Sequence, residues 1–157
     1  MEGLTRASGL HLEPFTLDEI IPIYAPGQVS KALKQQLAQP VSLEMLPQLP
    51  ILWRESGSGT RRVIEEHFSK HGLRIQSLKP NLVFGSTMAL KHATLAGLGI
   101  AFMPRRVLQQ ELALKRLRQI DSLKLSIERT FSWVIPAGEL PPELKSFYRW
   151  VNAHFRT

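Results

Sequence analysis

The residues best suited to chemistry lie in Arg54–Arg62, RESGSGTRR, where two glycines, two serines and a threonine are flanked by arginines. The stretch follows an apolar run, LPILW, and precedes VIEEHFSKHG, which has a helical pattern. A loop that leaves a strand and enters a helix presents N–H groups with no helical acceptor, at the positive end of the helix dipole. Glycine lets a ligand approach those amides, so such a junction is a general anion site. Ser58 and Thr60 can add hydroxyl hydrogen bonds, and Arg61 or Arg62 can add charge. The more specific chemistries fail on spacing. No Gly-Lys-Ser/Thr follows a glycine after four residues, as a Walker A loop requires. A dinucleotide fingerprint needs glycine where Arg62 stands, and a nucleophile elbow centred on Ser58 needs glycine where Ser56 stands. An anion site and a tight turn with a capped helix both remain open readings of these residues.

A second junction resembles the first. FGSTMALK places Gly85, Ser86 and Thr87 at another strand-to-helix entry. Two helix starts at the carboxyl ends of neighbouring strands point into one crevice, the place where open α/β sheets hold ligands. Ser86 also reads as an ordinary N-cap; a capping hydroxyl can be shared with a ligand. Other candidates carry less. His67 and His71 are four apart, a metal-ligand spacing, but no His-Glu-x-x-His pattern and no third ligand accompany them. They read as surface helix residues, as does His92 in the next helix. Glu65 and Glu66 can pair with Arg61 and Arg62 four residues earlier. Trp53 reads as core, while Trp133 and Trp150 read as exposed or covered in a dimer. No Ser-His-Asp, Cys-His or paired-carboxylate constellation stands out, so the expectation is a protein that is not an enzyme and holds no cofactor or metal.

The elements that must position these residues follow from the patterning. Ile20–Pro26 is a short β-like run ended by Pro26 and Gly27. SKALKQQLAQ is polar and weakly helical, or loop. SLEMLPQ opens on a candidate cap, Ser42, and stops at Pro47. LPILW and GIAFM read as strands buried on both faces. Helices are expected from about Gly59 to His71, with Val63, Ile64 and Phe68 on one face, and over STMALKHATLAG, from cap Ser86 to Gly97. LRIQSLKPNLVF reads as extended and broken at Pro80. Pro104 suits the first turn of a helix PRRVLQQEL, and LRQIDSLKLSIERTFSWVI reads as two extended pieces. Leu144, Phe147, Tyr148, Val151 and Phe155 recur at spacings of three and four in the last helix. The alternation indicates an α/β domain with a mainly parallel or mixed sheet.

Composition bounds the possibilities. The chain has 157 residues, 43% hydrophobic and 21% charged, which is globular rather than disordered. The net charge is +7 and the pI about 10.1. Lysines and arginines are spread without a block of five, so the balance reads as a solvated basic surface before a nucleic-acid footprint. No apolar run reaches membrane-spanning length. The first residues lack the apolar core of a signal peptide. With no cysteines, disulfides and thiolate sites are excluded, and a cytoplasmic protein is the expectation.

LPILWRESGSGTRRVIEEHFSKHGL followed by VFGSTMALKHATLAGLGIAFMPRRVL resembles the effector-binding domain of LysR-type transcriptional regulators. RESGSGTR is similar to the REPGSGTR form of the branch that regulates carbon fixation. GSTMALKHATLAGLGIAFMPR matches the family's Gly-Ser, helix, Ala-Gly-x-Gly-Ile, strand, Pro pattern. EPFTLDEIIPIYAP and SLEMLPQLPIL match its crossing strand and the short helix before the loop. The resemblance runs from about Gly9 to Phe155.

It implies a fold like type 2 periplasmic binding proteins, two α/β lobes joined by crossing segments with a small effector between them. Residues 22–127 would be one nearly complete lobe. Residues 1–21 would be a remnant of the other lobe with the first crossing segment, and 128–157 the second crossing segment and a helix returning to that lobe. The resemblance places Ser58, Gly59, Thr60 and Arg61 on the effector side through the first loop, and Ser86 and Thr87 through the second. Phe102, Met103 and Pro104 would follow at the end of the third strand. Its partners would be a small anionic metabolite, no membrane, and a second copy in a homodimer or higher oligomer. No helix-turn-helix, linker helix or first half of the other lobe is recognisable, so specific DNA binding is expected only through a segment outside this sequence, and effector binding is expected to be weak. Two other classes stand beside this one. A free-standing solute-binding protein would need a signal peptide and a full first lobe. An enzyme of related two-lobed fold, such as porphobilinogen deaminase-like architecture, would need catalytic clusters not seen here.

Overall fold

A computed structural model describes residues 9–155. The chain divides into two compact units, one of residues 19–127 and the other built from the segments on either side. The first eight residues of the expected 1–21 segment lie outside the described residues.

The sheet of the larger unit has the strand order β3-β2-β4-β1-β5, formed by β1 (Leu10–Tyr24), β2 (Ile51–Arg54), β3 (Leu82–Phe84), β4 (Ile100–Pro104) and β5 (Arg118–Gln119). β2 runs parallel to both β3 and β4, with Arg54 opposite Phe84 and Ile51 opposite Ile100. β1 is antiparallel to β4 and β5, so the sheet is mixed. Side chains alternate across it. Ile51, Trp53, Ile100 and Phe102 face one half of the core with Ile64 and Phe68 of helix α2 (Gly59–Lys70). Leu52, Ala101 and Met103 face the other half with Leu90 and Ala93 of α3 (Thr87–Leu95). The loop after β2 therefore feeds a helix on one face, and the loop after β3 feeds a helix on the other. In open α/β sheets such a divergence marks the ligand crevice, at the carboxyl ends of the strands.

Both helices begin and end by the same local rules. Ser58 and Ser86 cap their starts, each hydroxyl accepting the N–H three residues on. Gly72 and Gly97 follow their ends at φ +80° and +78°. In each case the next N–H returns to a carbonyl five residues back, Leu73 to Phe68 and Leu98 to Ala93. Thr60, Ile64 and Phe68 form the buried stripe of α2. Trp53, Phe68 and Phe102 form one aromatic cluster, with ring centroids 5.2 to 6.5 Å apart. Each such side chain contributes about 2–3 kcal/mol on burial.

Several local expectations change. The first strand begins at Leu10, well before Ile20. SKALKQQL is helical as α1 (Lys31–Leu37), capped by Ser30. Ser42 does not cap: its hydroxyl donates to Glu44 instead. Pro47 sits inside a 3-10 turn over Leu43–Gln48 rather than ending it. Pro104 closes β4 in an extended conformation instead of opening a helix, because its neighbour Met103 is still paired with Ile21 of β1. A 3-10 turn and α4 (Gln109–Ala113) follow. Of LRIQSLKPNLVF only Leu82–Phe84 is a strand.

The smaller unit contains β6 (Ile127–Pro136), which pairs with β1, and α5 (Pro142–Phe155). Asp18 and Arg129 form an ion pair there, with side chains 2% and 6% exposed and Nη2 to Oδ2 2.6 Å. Trp133 packs against Phe15 and Tyr148, both at 5.3 Å. The apolar face of α5 keeps the expected spacing, yet Leu144, Phe147 and Phe155 are more than half exposed.

Candidate effector site

At the carboxyl edge of the larger sheet the two junctions are drawn together by backbone and side chain. The Glu55 N–H donates to the Phe84 carbonyl at 3.1 Å, which extends the β2–β3 pairing one step past the strands. The Arg54 guanidinium then bridges the junctions. Its Nη1 donates to the Thr87 hydroxyl at the start of α3, at 2.5 Å. Its Nε and Nη2 donate to the two carboxylate oxygens of Glu55, each at 2.8 Å. That hydrogen-bonded guanidinium holds the Glu55 carboxyl down at about 2, with backbone contacts and the charge of Arg61 adding to the effect. Arg61 turns back along its own helix. Its Nη1 donates to the Arg54 carbonyl at 3.1 Å and its Nε to Glu65 at 2.7 Å.

The sequence-selected residues fall into three groups. Ser58, Gly59, Thr60 and Arg61 make the first turn of α2, with Ser58 and Thr60 each 5% exposed and Arg61 half-buried. Ser86 is exposed at the cap of α3, and Thr87 is its first residue. Helix geometry leaves the N–H groups of Thr87 and Met88 without an intrahelical acceptor, while that of Ala89 is taken by Ser86. Phe102 and Met103, by contrast, are 2% and 0% exposed and belong to opposite halves of the core. They support β4 from within and present little surface at the strand end. Arg54 and Glu55 were not singled out from the sequence. The available signal was an arginine placed directly at the end of a buried apolar strand, where a charged head must turn to the strand's edge for partners.

The other candidates resolve simply. The His67 and His71 rings stack at 4.2 Å, and His71 Nδ1 lies 2.8 Å from the His67 carbonyl. Burial, then the charges of His71 and Lys70, lower the His67 pKa. Among the described residues no group of three or more metal-ligating side chains occurs, and no helix is long and apolar enough to cross a membrane.

Residues 1–156 match the family model for the LysR substrate binding domain. The chain belongs to that family. Among curated relatives, the RuBisCO operon transcriptional regulator of Acidithiobacillus ferrooxidans is 34% identical over 131 residues, covering 82% of this chain and 41% of that protein. The phosphonates import ATP-binding protein PhnC of Anaeromyxobacter dehalogenans is 33% identical over 132 residues, covering 84% of this chain but 25% of that protein. No Walker A loop occurs in this sequence. The regulatory domain of Synechocystis PCC6803 CcmR, solved in complex with 2-PG, superposes with a TM-score of 0.80 at 23% identity, covering 99% of this chain and 71% of that one. That likeness establishes the fold, the α/β architecture of LysR regulatory domains. The chain spans less than half the length of the curated relatives it matches.

Proposed function

We propose that this chain is the ligand-sensing part of a LysR-type transcription regulator, and that it binds a small anionic metabolite at the carboxyl ends of β2 and β3. The observation that carries the reading is the pairing of two capped helix starts across one strand pair, with Arg54 bridging them. Amide donors, hydroxyls and guanidinium groups converge there, a set that favours an oxyanion over a neutral or cationic ligand. Residues 22–127 form the regulatory lobe that carries the site, 1–21 a remnant of the other lobe with the first crossing segment, and 128–157 the second crossing segment and a helix returning to that lobe. Ser58, Gly59, Thr60, Arg61, Ser86 and Thr87 contact the ligand, while Phe102 and Met103 support the strand behind them. The ligand shifts the population between two arrangements of the whole regulator, and so alters how a homodimer or higher oligomer holds DNA. No bond is made or broken in this scheme, and the protein acts in the cytoplasm without a cofactor.

The test is a titration of the chain with 2-PG, followed by amide chemical shifts. Saturable shifts centred on Gly59, Thr60, Ser86 and Thr87 are expected, with a millimolar dissociation constant sufficing. Thr60→Val and Arg61→Ala should each weaken binding about fivefold or more. Saturable shifts that leave both junctions untouched, or unchanged affinity in both variants, would refute the assignment.

A further inference from the structure

Arg54 has the geometry to clamp an oxyanion, yet the chain itself already fills that position. A guanidinium presents Nε and one Nη as a fork whose two parallel hydrogen bonds fit a carboxylate or a phosphate edge. Here that fork holds both oxygens of Glu55, at 2.8 Å each. The remaining Nη reaches Thr87 on the far side of the crevice. The Arg54 side chain is 14% exposed and that of Glu55 38%, so the carboxylate is the more exposed member of the pair. Glu55 is the residue after β2, on the loop that runs through Ser56 and Gly57 to α2. Arg61, one turn into α2, is also paired with a carboxylate, its Nε donating to Glu65. Both arginines nearest the crevice are thus neutralised by the chain's own acids.

We infer that Glu55 is an internal stand-in for the ligand, occupying the Arg54 fork until an incoming carboxylate or phosphate displaces it. The inference rests on the effector-site reading above and adds its regulation. Exchange keeps Arg54 hydrogen-bonded in both states, so the buried guanidinium is never stranded. It also sets a selectivity filter. A neutral ligand cannot replace a carboxylate that stays ionised at every physiological pH, whereas an oxyanion of matching geometry can. Apparent affinity falls by the fraction of time the fork is open. An occupancy of about nine-tenths by Glu55 corresponds to a loss of about tenfold.

The experiment follows the Arg54 Nε–H resonance while inorganic phosphate, and separately acetate, is titrated into the whole chain. Wild type should show a saturable shift with one or both anions. Glu55→Gln should tighten that binding about tenfold, and Glu55→Asp, charged but too short to span both nitrogens, should tighten it by less. Glu66→Gln removes the same charge from the exposed Arg62 pair and should change nothing. The anion whose binding tightens tells a carboxylate-directed clamp from a phosphate-directed one. Equal affinity in wild type and Glu55→Gln would overturn the exchange while leaving the site intact. An equal gain in Glu66→Gln would overturn it in favour of bulk charge. No response to either anion in wild type and Glu55→Gln alike would overturn the site reading and the exchange together.

Discussion

Replacing Gly99 by alanine would test how the sheet that carries the site is held in register. A Cβ at that position would lie 2.2 Å from the Pro50 carbonyl oxygen and 3.1 Å from its carbon, with Leu52 Cγ at 3.2 Å. An ordinary carbon–oxygen contact is about 3.3 Å, so the oxygen must retreat by about 1 Å. It cannot do so freely, because it accepts the Ile100 N–H at 2.9 Å. A retreat of that size carries the bond past about 3.5 Å, where it ceases to exist. Losing it beside fully buried Ile100 costs about 1–3 kcal/mol, and displacing the buried Leu52 side chain adds about 1 kcal/mol. The expected destabilisation is therefore about 2–4 kcal/mol, or a fall in Tm of about 5–12 °C for a chain of this size. Urea unfolding followed by circular dichroism measures the total, and amide exchange at Ile100 measures the local break. Gly57→Ala is the matched control: nothing lies within 4 Å of its Cβ, and the change should stay within about 0.5 kcal/mol. If Gly99→Ala proves as mild as Gly57→Ala, with Ile100 still protected, the close approach of β4 to Pro50 is not what fixes the β2–β4 register.

Ser58→Ala and Ser86→Ala each remove a cap hydrogen bond and should cost about 1 kcal/mol apiece in urea unfolding; a neutral result would mean the backbone amides find other acceptors. Asp18→Ala leaves the Arg129 guanidinium, 6% exposed, with its carboxylate removed, and should destabilise by about 3–5 kcal/mol, whereas a loss under 1 kcal/mol would place the pair in contact with water. Acid should weaken the fold through Glu19 and Glu111, whose carboxyls are held low by hydrogen bonds from Arg105 and Lys91 respectively. Their folded values lie below the unfolded carboxylate value of about 4.3, so the folded chain binds fewer protons. This stability is fully present above that value and is lost as pH falls through the lower folded ones. Urea midpoints should decline from about pH 5 to pH 3, less steeply in Lys91→Met, and a midpoint that rises on acidification would refute the sign.

Much of the scaffold was legible in the residues because its signals are local. Ser58 and Ser86 before apolar periodic segments, and Gly72 and Gly97 after them, describe helix ends through hydrogen bonds that span three to five residues. The unbroken apolar runs around Ile51 and Ile100 reported strands covered on both faces. Other readings fared differently. Ser42 has the right type for a cap, but Glu44 takes its hydroxyl. Pro104 suits a helix start, yet pairing of β4 with β1 keeps it extended. Phe102 and Met103 lie toward the end of β4, where the sheet holds both inside the core.

What the sequence determined by itself was the strands around Ile51 and Ile100, the helices α2 and α3 with their capped ends, and the family pattern, since each is written within a turn or two of chain. What the tertiary structure alone decided was the chemistry at the strand ends. Arg54 and Thr87 are 33 residues apart and meet only because β2 and β3 pair in parallel. Arg61, the arginine selected from the sequence, bonds to Glu65 and the Arg54 carbonyl. The arginine hidden at the end of a buried strand spans the crevice instead. A guanidinium on a long flexible stem takes the best acceptors within reach, and which acceptors are within reach is a property of the folded neighbourhood.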